Sequence, residues 1–418
     1  MEVCDTRDVF PQTTRLNHLS YCFTPKHHGA GLKSDACWLP DLPRPEEFAV
    51  FDMADWHLQV KSPDFPGRQV TWAGEFPWTH DLCFGTEDGS IGVRDVNGVE
   101  ISCGPIIESG EAINGVAFSR NMVAISTRGE LLINRHPFPG GPQTTLYNGG
   151  AHGVVATGSG GFLAPAGSSG LIQVELLPDG SFRHREFRGR DAELYFYRMA
   201  RLGRTDRGDE VFACAGRNDG LMAITIKSDG IPSGIAVNKG FITTGDENID
   251  IVDVCRLPSL THPFASASLG IDNSLHLSHD IRREHAPLGL CFQEMEETAY
   301  NVLSAQGHIF ILTSDAFYFL PKLADRFLSG EPIRGGLTVR RFPVEALDAS
   351  IAYAEHLMLI VARSVLLLEI SKLPAAFGLD DSLRSRLDVE SSAPEPNEMV
   401  PDLDASAWSP RECAVVAS

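Results

Sequence analysis

The sequence has no run of about 18 apolar residues, so it predicts no helix that crosses a membrane. Positive charge is also scarce: 35 Lys and Arg stand against 55 Asp and Glu, and the formal net charge is −20. Such a field repels phosphate backbones and disfavours nucleic acid as a partner. The first residues include Glu2, Asp5 and Asp8 but no basic or apolar stretch, so we expect no secretory signal and predict a cytoplasmic protein.

Motifs that carry chemistry are missing too. The nine cysteines are odd in number and scattered over 418 residues, which disfavours a disulfide framework. No GxSxG, HExxH or GxxxxGK[ST] pattern occurs, and the glycine-dense stretches 158–161 and 167–170 are interpreted as hairpin turns. Two thiols and two imidazoles lie close together in Cys22, His27, His28 and Cys37, but their spacing fits no familiar zinc pair. The sequence predicts no metal and no cofactor.

What the sequence does contain is a repeated hairpin. Short apolar runs, typical of β-strands, flank a tight turn, as in CFGTEDGSIGVRDV at 83–96. Gly, Asn and Asp recur in these turns because they tolerate positive φ angles. Counted by the second turn residue, seven hairpins follow one another at steps of 40 to 53 residues: Gly89, Gly129, Gly170, Gly220, Asn273, Asp315 and Ser364.

The distance between hairpins leaves room for two more strands in each unit, so each unit is predicted to be a four-stranded antiparallel sheet. Such sheets bury both faces when they pack radially against like neighbours. The predicted fold is therefore an all-β, seven-bladed β-propeller over 48–372. The last unit supplies only three strands, and Asp55–Val60 is predicted to complete it beside Val365–Ile370. Residues 1–47 are predicted to be an irregular leader.

The first hairpin, LCFGTEDGSIGVRDV, resembles a repeat of the WD-repeat β-propellers, because Arg94 and Asp95 stand where that family commonly has Trp and Asp. The other six units lack this pair. The resemblance implies a rigid platform on which other proteins assemble, by analogy of fold.

Residues 373–418 hold nine acidic and three basic side chains, and we predict an acidic, disordered tail. It is either a solvated extension or a linear motif around Trp408. Polar residues near strand starts are candidates for a central channel, or else structural polar groups: His80, Asp81, His152, Asp250 and His356. The sequence favours a protein without catalytic activity, and the alternative is a propeller enzyme or a small-ligand sensor.

One stretch departs from the acidic field, since Arg183–Arg207 carries eight arginines and four acidic residues, a local charge of +4. It is interpreted as a solvated edge with local ion pairs, as a site for an acidic protein partner or the protein's own tail, or, last, as a site for nucleic acid. The predicted function is a noncatalytic protein-interaction scaffold or adaptor of a cytoplasmic complex, of undetermined oligomeric state. The predicted partner-binding residues are Arg183, Arg185, Arg188, Arg190, Arg198, Arg201 and Trp408.

Overall fold

The computed structural model describes residues 69–376 and 411–415. Within the first range it leaves out short connecting stretches: 78–80, 95–99, 106–109, 120–121, 136–142, 178–180, 188–193, 217–219, 229–231, 239–249, 284–287, 292–297, 332, 334–338, 345, 353–355 and 362–363. The described residues form seven antiparallel sheets, which we number 1 to 7 in chain order.

The first four sheets use consecutive strands. Sheet 1 holds β1 (Val70–Phe76), β2 (Asp81–Thr86), β3 (Ser90–Arg94) and β4 (Glu100–Pro105). Sheet 2 holds β5 (Ile113–Ser119), β6 (Met122–Thr127), β7 (Leu131–Arg135) and β8 (Gln143–Tyr147). Sheet 3 begins with β9 (Val155–Ala156), β10 (Phe162–Pro165), β11 (Leu171–Leu176) and β12 (Phe182–Phe187). Sheet 4 holds β13 (Phe196–Arg204), β14 (Glu210–Gly216), β15 (Gly220–Ile226) and β16 (Pro232–Asn238).

The remaining sheets follow the same order. Sheet 5 holds β17 (Ile251–Arg256), β18 (Ser266–Gly270), β19 (Ser274–Ser278) and β20 (Leu288–Cys291). Sheet 6 holds β21 (Ala299–Ala305), β22 (His308–Thr313), β23 (Ala316–Leu320) and β24 (Arg340–Pro343), and the helix α1 (Leu323–Leu328) lies between its last two strands. Sheet 7 holds β25 (Asp348–Ala352), β26 (His356–Val361) and β27 (Ser364–Glu369). A 3₁₀ turn at Ile370–Lys372 and the helix α2 (Leu373–Ala376) follow.

All seven predicted turns lie where the second strand of a sheet leads into the third. The expected positive φ is present at Gly89, Gly170, Gly220 and Asn273. Gly129 has another reason to be glycine. Its N–H donates to Glu111 Oε2 at 2.6 Å, and a Cβ would lie 2.6 Å from that carboxylate.

Six of the seven second strands are buried along their whole length, as expected of sheets that pack between like neighbours. Every residue of β2, β6, β14 and β22 is buried. Both faces of each strand are covered because its sheet lies between two neighbouring sheets. Small residues such as Ala124 and Ala213 alternate with larger ones and let the sheets approach each other.

The core is divided into seven clusters of buried side chains, each formed between two neighbouring sheets. One of them joins the last sheet to the first, where Met358 and Ile360 pack with Val70 and Phe84. The segment that we predicted to complete sheet 7, Asp55–Val60, lies outside the described residues. The closure through an N-terminal strand, and the domain boundaries at 47 and 372, therefore stay predictions.

Sheet 3 has a fifth strand, which sequence reasoning missed. This strand, β28 (Arg411–Val415), comes from the predicted tail and pairs antiparallel with β12. None of the helices in the described part of the chain is long and apolar enough to cross a membrane.

Candidate functional site

Two of the predicted partner-binding arginines lie on β12, the outer strand of the propeller part of sheet 3. Both form ion pairs with Glu175 on β11: Arg183 Nη2 lies 2.6 Å from Oε2, and Arg185 Nη1 lies 3.5 Å from Oε1. Only 10% of the Arg185 side chain is exposed. These contacts fit the local ion pairs that were one interpretation of the arginine stretch. Arg188, Arg190 and Trp408 lie outside the described residues.

Other arginines of the stretch lie on β13, the first strand of sheet 4. Arg201 Nη2 and Arg204 Nε lie 2.7 Å and 3.0 Å from Oε1 of the buried Glu210. The N–H of Gly158 also donates to this carboxylate, at 2.8 Å. Glu210 therefore links sheet 4 to the turn between β9 and β10 of sheet 3, and the arginine stretch is divided between two sheets.

The outer edge of β12 is where β28 adds to the sheet. Its register places Glu412 opposite Arg185 and Arg411 opposite Glu186. Opposite charges at facing positions stabilise a strand pair. A shift by one residue would instead place Arg411 opposite Arg185, or Glu412 opposite Glu186, and like charges at facing positions are destabilising. The residue types at facing positions therefore favour this register over a shift by one residue.

The first strands of the sheets share a second feature, a β-bulge near their start. In five of them the pairing with the second strand skips one residue. A bulge turns the next side chain in a new direction and is frequent beside active sites. The residues that follow the bulges are Trp72, Gly115, Arg198, Asp253 and Asn301.

Four of these residues line a cavity of about 150 Å³ between the first strands, and Asp253 is close enough for Arg198 to lower its pKa. Further lining residues include Asn114, Asp348 and Ser350. Arg198, predicted to bind a partner on the surface, thus lies at the central cavity and not beside Arg183 and Arg185.

Hydrogen bonds across neighbouring first strands fix the cavity wall. Asn301 Nδ2 donates to Asp348 Oδ1 at 2.9 Å, and the N–H of Val302 donates to Asp253 Oδ2 at 2.8 Å. Ser350 Oγ donates to the carbonyl of Ala73 at 2.9 Å and so links sheet 7 to sheet 1. Because backbone groups hold the two carboxylates in place, the polar wall is preorganised.

The carboxylates have shifted proton affinities. Burial raises the pKa of Asp253 from 3.8 to about 7, more than Arg198 and the hydrogen bond from Val302 lower it. Burial also raises the pKa of Asp348. A carboxyl with a pKa near 7 can take up or release a proton at neutral pH, which is the property that general acid–base chemistry requires.

His152 is the predicted channel residue that the structure brings closest to this wall. Its Nε2 lies 2.9 Å from Tyr195 Oη, its ring centroid is 4.9 Å from that of Tyr197, and its neighbour Gly153 lines the cavity. Burial and the charge of Arg198 lower the pKa of His152 to about 4, so the imidazole is neutral at physiological pH.

The other predicted channel residues are not brought together. Asp81 begins β2, His356 begins β26, and the carbonyl of Asp250 accepts a backbone hydrogen bond from Ile271. His80 and the four thiol and imidazole residues between 22 and 37 lie outside the described residues. Among the described residues, no three His, Cys, Asp or Glu side chains form a set that could hold a metal ion.

Sequence reasoning missed Asp253, Asn301 and Asp348. Asp253 and Asn301 share a position that could have identified them. Each stands two residues after the buried apolar residue that begins a first strand, which is Ile251 for Asp253 and Ala299 for Asn301. A search for local motifs does not find this position, because its members lie far apart in the sequence.

No protein-family model and no curated protein matches the sequence. Among solved structures, the β-propeller domain of Cps50 (Swd1) from Myceliophteria thermophila has a TM-score of 0.54 and 9% identity, over 75% of this chain and 99% of that one. A catalytically inactive virginiamycin B lyase from Staphylococcus aureus, solved with quinupristin, has a TM-score of 0.55 and 9% identity, over 74% of this chain and 98% of that one. The chain is a β-propeller. At this level of identity the likeness shows the fold alone.

Proposed function

We propose that this propeller is a noncatalytic protein-interaction scaffold that binds extended segments of protein partners at the outer edge of sheet 3. The fold does not decide between a scaffold and an enzyme, because one of the two similar structures is a lyase. The observation that carries the proposal is the pairing of β28 with β12.

An outer strand presents a row of backbone N–H and C=O groups that can pair with another strand. Partners that bind in this way gain affinity from main-chain hydrogen bonds and specificity from alternate side chains. Here the facing charges give the specificity. A fitting segment has an acidic residue opposite Arg185 and a basic residue opposite Glu186, as β28 has. This chemistry agrees with the acidic partner that the sequence predicted.

In this proposal, β28 occupies the edge when no partner is bound, and a partner must displace it. The linked strand competes at a high effective concentration, on the order of millimolar for a short flexible connection and lower for a longer one. The full-length protein should therefore bind a free segment more weakly than a variant that ends at residue 410.

The experiment uses a labelled peptide of residues 409–418 and measures fluorescence polarisation with both proteins. We expect the peptide to bind the variant that ends at residue 410 at least about tenfold more tightly than the full-length protein. Thermal unfolding of the shortened protein confirms that it is folded. Equal binding to both proteins, or binding to neither, would show that this edge is not a docking site.

Two sets of control peptides test the mode of binding. Cys413→Pro and Glu412→Pro each remove one N–H, and successive residues point their N–H groups to opposite sides of a strand, so one of the two removes a ladder hydrogen bond. Glu412→Arg places like charges opposite each other and should weaken binding by about fivefold, which corresponds to roughly 1 kcal/mol. A peptide that tolerates all three changes does not bind as a strand in this register.

A further inference from the structure

The cavity between the first strands has three side chains with oxygen atoms that can accept hydrogen bonds, beside the guanidinium group of Arg198. Asn301 is only 8% exposed, and its Nδ2 is used by Asp348, while its Oδ1 has no hydrogen-bond partner among the described residues. The two hydrogen bonds given to Asp348, from Asn301 Nδ2 and the N–H of Ala349, both go to Oδ1. Asn114 uses its Nδ2 on the carbonyl of Ala151, so its Oδ1 is a third acceptor.

A buried polar atom without a partner is costly, and native structures satisfy nearly all of them. Asn301 Oδ1 cannot exchange roles with Nδ2, since Nδ2 already donates to a carboxylate. A donor from outside the chain, either water or a ligand, would satisfy this oxygen. A protonated amine has three donors and no acceptor, which matches a wall that presents several acceptors.

The charges in and behind the cavity wall also bear on the ligand. Asp348 and Arg198 line the cavity and contribute one charge of each sign, and Asp253, which Arg198 influences, adds a second carboxyl group. His152 is neutral near pH 7, because its pKa is lowered to about 4. With both carboxylates ionised these groups sum to −1, which one ammonium group neutralises. Trp72 also lies on the wall, and aromatic rings attract cations.

We infer that this cavity binds a small molecule that carries a protonated primary amine, with the ammonium group held by Asn301 Oδ1, Asp348 Oδ2 and Asn114 Oδ1. This site is independent of the proposed partner edge. Its volume of about 150 Å³ admits a small molecule.

The test begins with the unaltered full-length protein at pH 8 and four probes, measured by saturation-transfer NMR and calorimetry. Ethylammonium should bind with a Kd on the order of 1 mM, since so few atoms offer little contact. Ethanol has a similar size without charge, and tetramethylammonium has the charge without any N–H donor, so both should bind at least about tenfold more weakly. Magnesium chloride tests the other class of cation.

Two variants locate the binding. Asp348→Asn removes the carboxylate charge and should weaken ethylammonium by at least about tenfold. Asp206→Asn makes the same change at an exposed turn and should leave binding unchanged. If tetramethylammonium binds as well as ethylammonium, if Mg²⁺ binds in its place, or if a folded Asp348→Asn protein retains full affinity, the inference is wrong. The probe comparison needs no variant, so a misfolded variant does not prevent the test.

Discussion

The buried carboxyl of Asp253 makes the stability of the protein depend on pH in a defined direction. In the unfolded chain its pKa is the ordinary 3.8, and in the folded protein burial raises it to about 7. A raised pKa means that the contribution to stability is fully present below the unfolded pKa and is lost as the pH rises through the folded pKa. The relevant window therefore lies between about pH 4 and pH 7.

The size of the effect follows from these two values. Between pH 5 and pH 8, a carboxyl whose pKa moves from 3.8 to about 7 on folding removes about 2–3 kcal/mol from the free energy of unfolding. Three histidines act in the opposite direction, because burial lowers the pKa of His152, His276 and His308 to about 4. Their stabilisation is lost as the pH falls below about 6.5.

The histidines are present in both proteins when Asp253→Asn is compared with the unaltered chain, so their contribution cancels in the difference. We expect the stability of the variant relative to the unaltered protein to rise by about 2–3 kcal/mol from pH 5 to pH 8. The asparagine side chain still accepts a hydrogen bond from the N–H of Val302, but it cannot accept a second one from the backbone as a carboxylate does. This loss changes the stability of the variant by the same amount at pH 5 and at pH 8, so it does not affect the predicted difference. Urea unfolding at four pH values measures the difference, with Asp206→Asn as the exposed control. Parallel profiles for the unaltered protein and Asp253→Asn would refute the raised pKa.

Three further predictions concern the fold. Glu210→Gln should lower the free energy of unfolding by about 2 kcal/mol in urea titrations, because a buried carboxylate with two arginines and a backbone N–H loses its charge. Gly150→Ala should lower the free energy of unfolding by at least about 2 kcal/mol, because the φ of Gly150 is +69° and a Cβ would lie 1.5 Å from a backbone oxygen. A Cβ at Gly153 would meet no atom within 4 Å, so Gly153→Ala should change the free energy of unfolding by no more than about 0.5 kcal/mol. Deletion of residues 1–60 should lower the thermal midpoint by several degrees while deletion of 1–47 does not; equal midpoints would reject the N-terminal strand.

The repeat, the strand order and the seven hairpins were predictable from the sequence, because turn residues and apolar runs report local backbone geometry. The turn at Gly89 is an example: its φ of 78° is what its neighbours in the hairpin require. Burial on both faces was not predictable from a single hairpin such as β2 with β3. It follows from packing between sheets, which the recurrence of the hairpin predicted.

Sequence reasoning missed Asp253 and Asn301 at the polar cavity, for a physical reason. Each is a single polar residue between two apolar neighbours, Arg198 was assigned to the arginine stretch, and only the bulge turns these residues to a common space. The outer edge was missed for a different reason. Arg411–Val415 is a short segment within a polar tail, and the strand with which it pairs, β12, lies more than 200 residues earlier in the chain.

These two surfaces use different parts of the same architecture. At the cavity, the bulge in a first strand fixes the position of the next side chain but not its residue type. Each sheet can therefore place a different functional group on the cavity wall. At the outer edge, the backbone itself is the binding group, and charge only favours the register. Asp348 lies in sheet 7 and β12 is the outer strand of sheet 3, and distant sites without shared partners act additively. Asp348→Asn should therefore leave the affinity for the 409–418 peptide unchanged, and removal of residues 411–418 should leave ethylammonium binding unchanged. Coupling between the two measurements would mean that the propeller transmits a change from its channel to its edge.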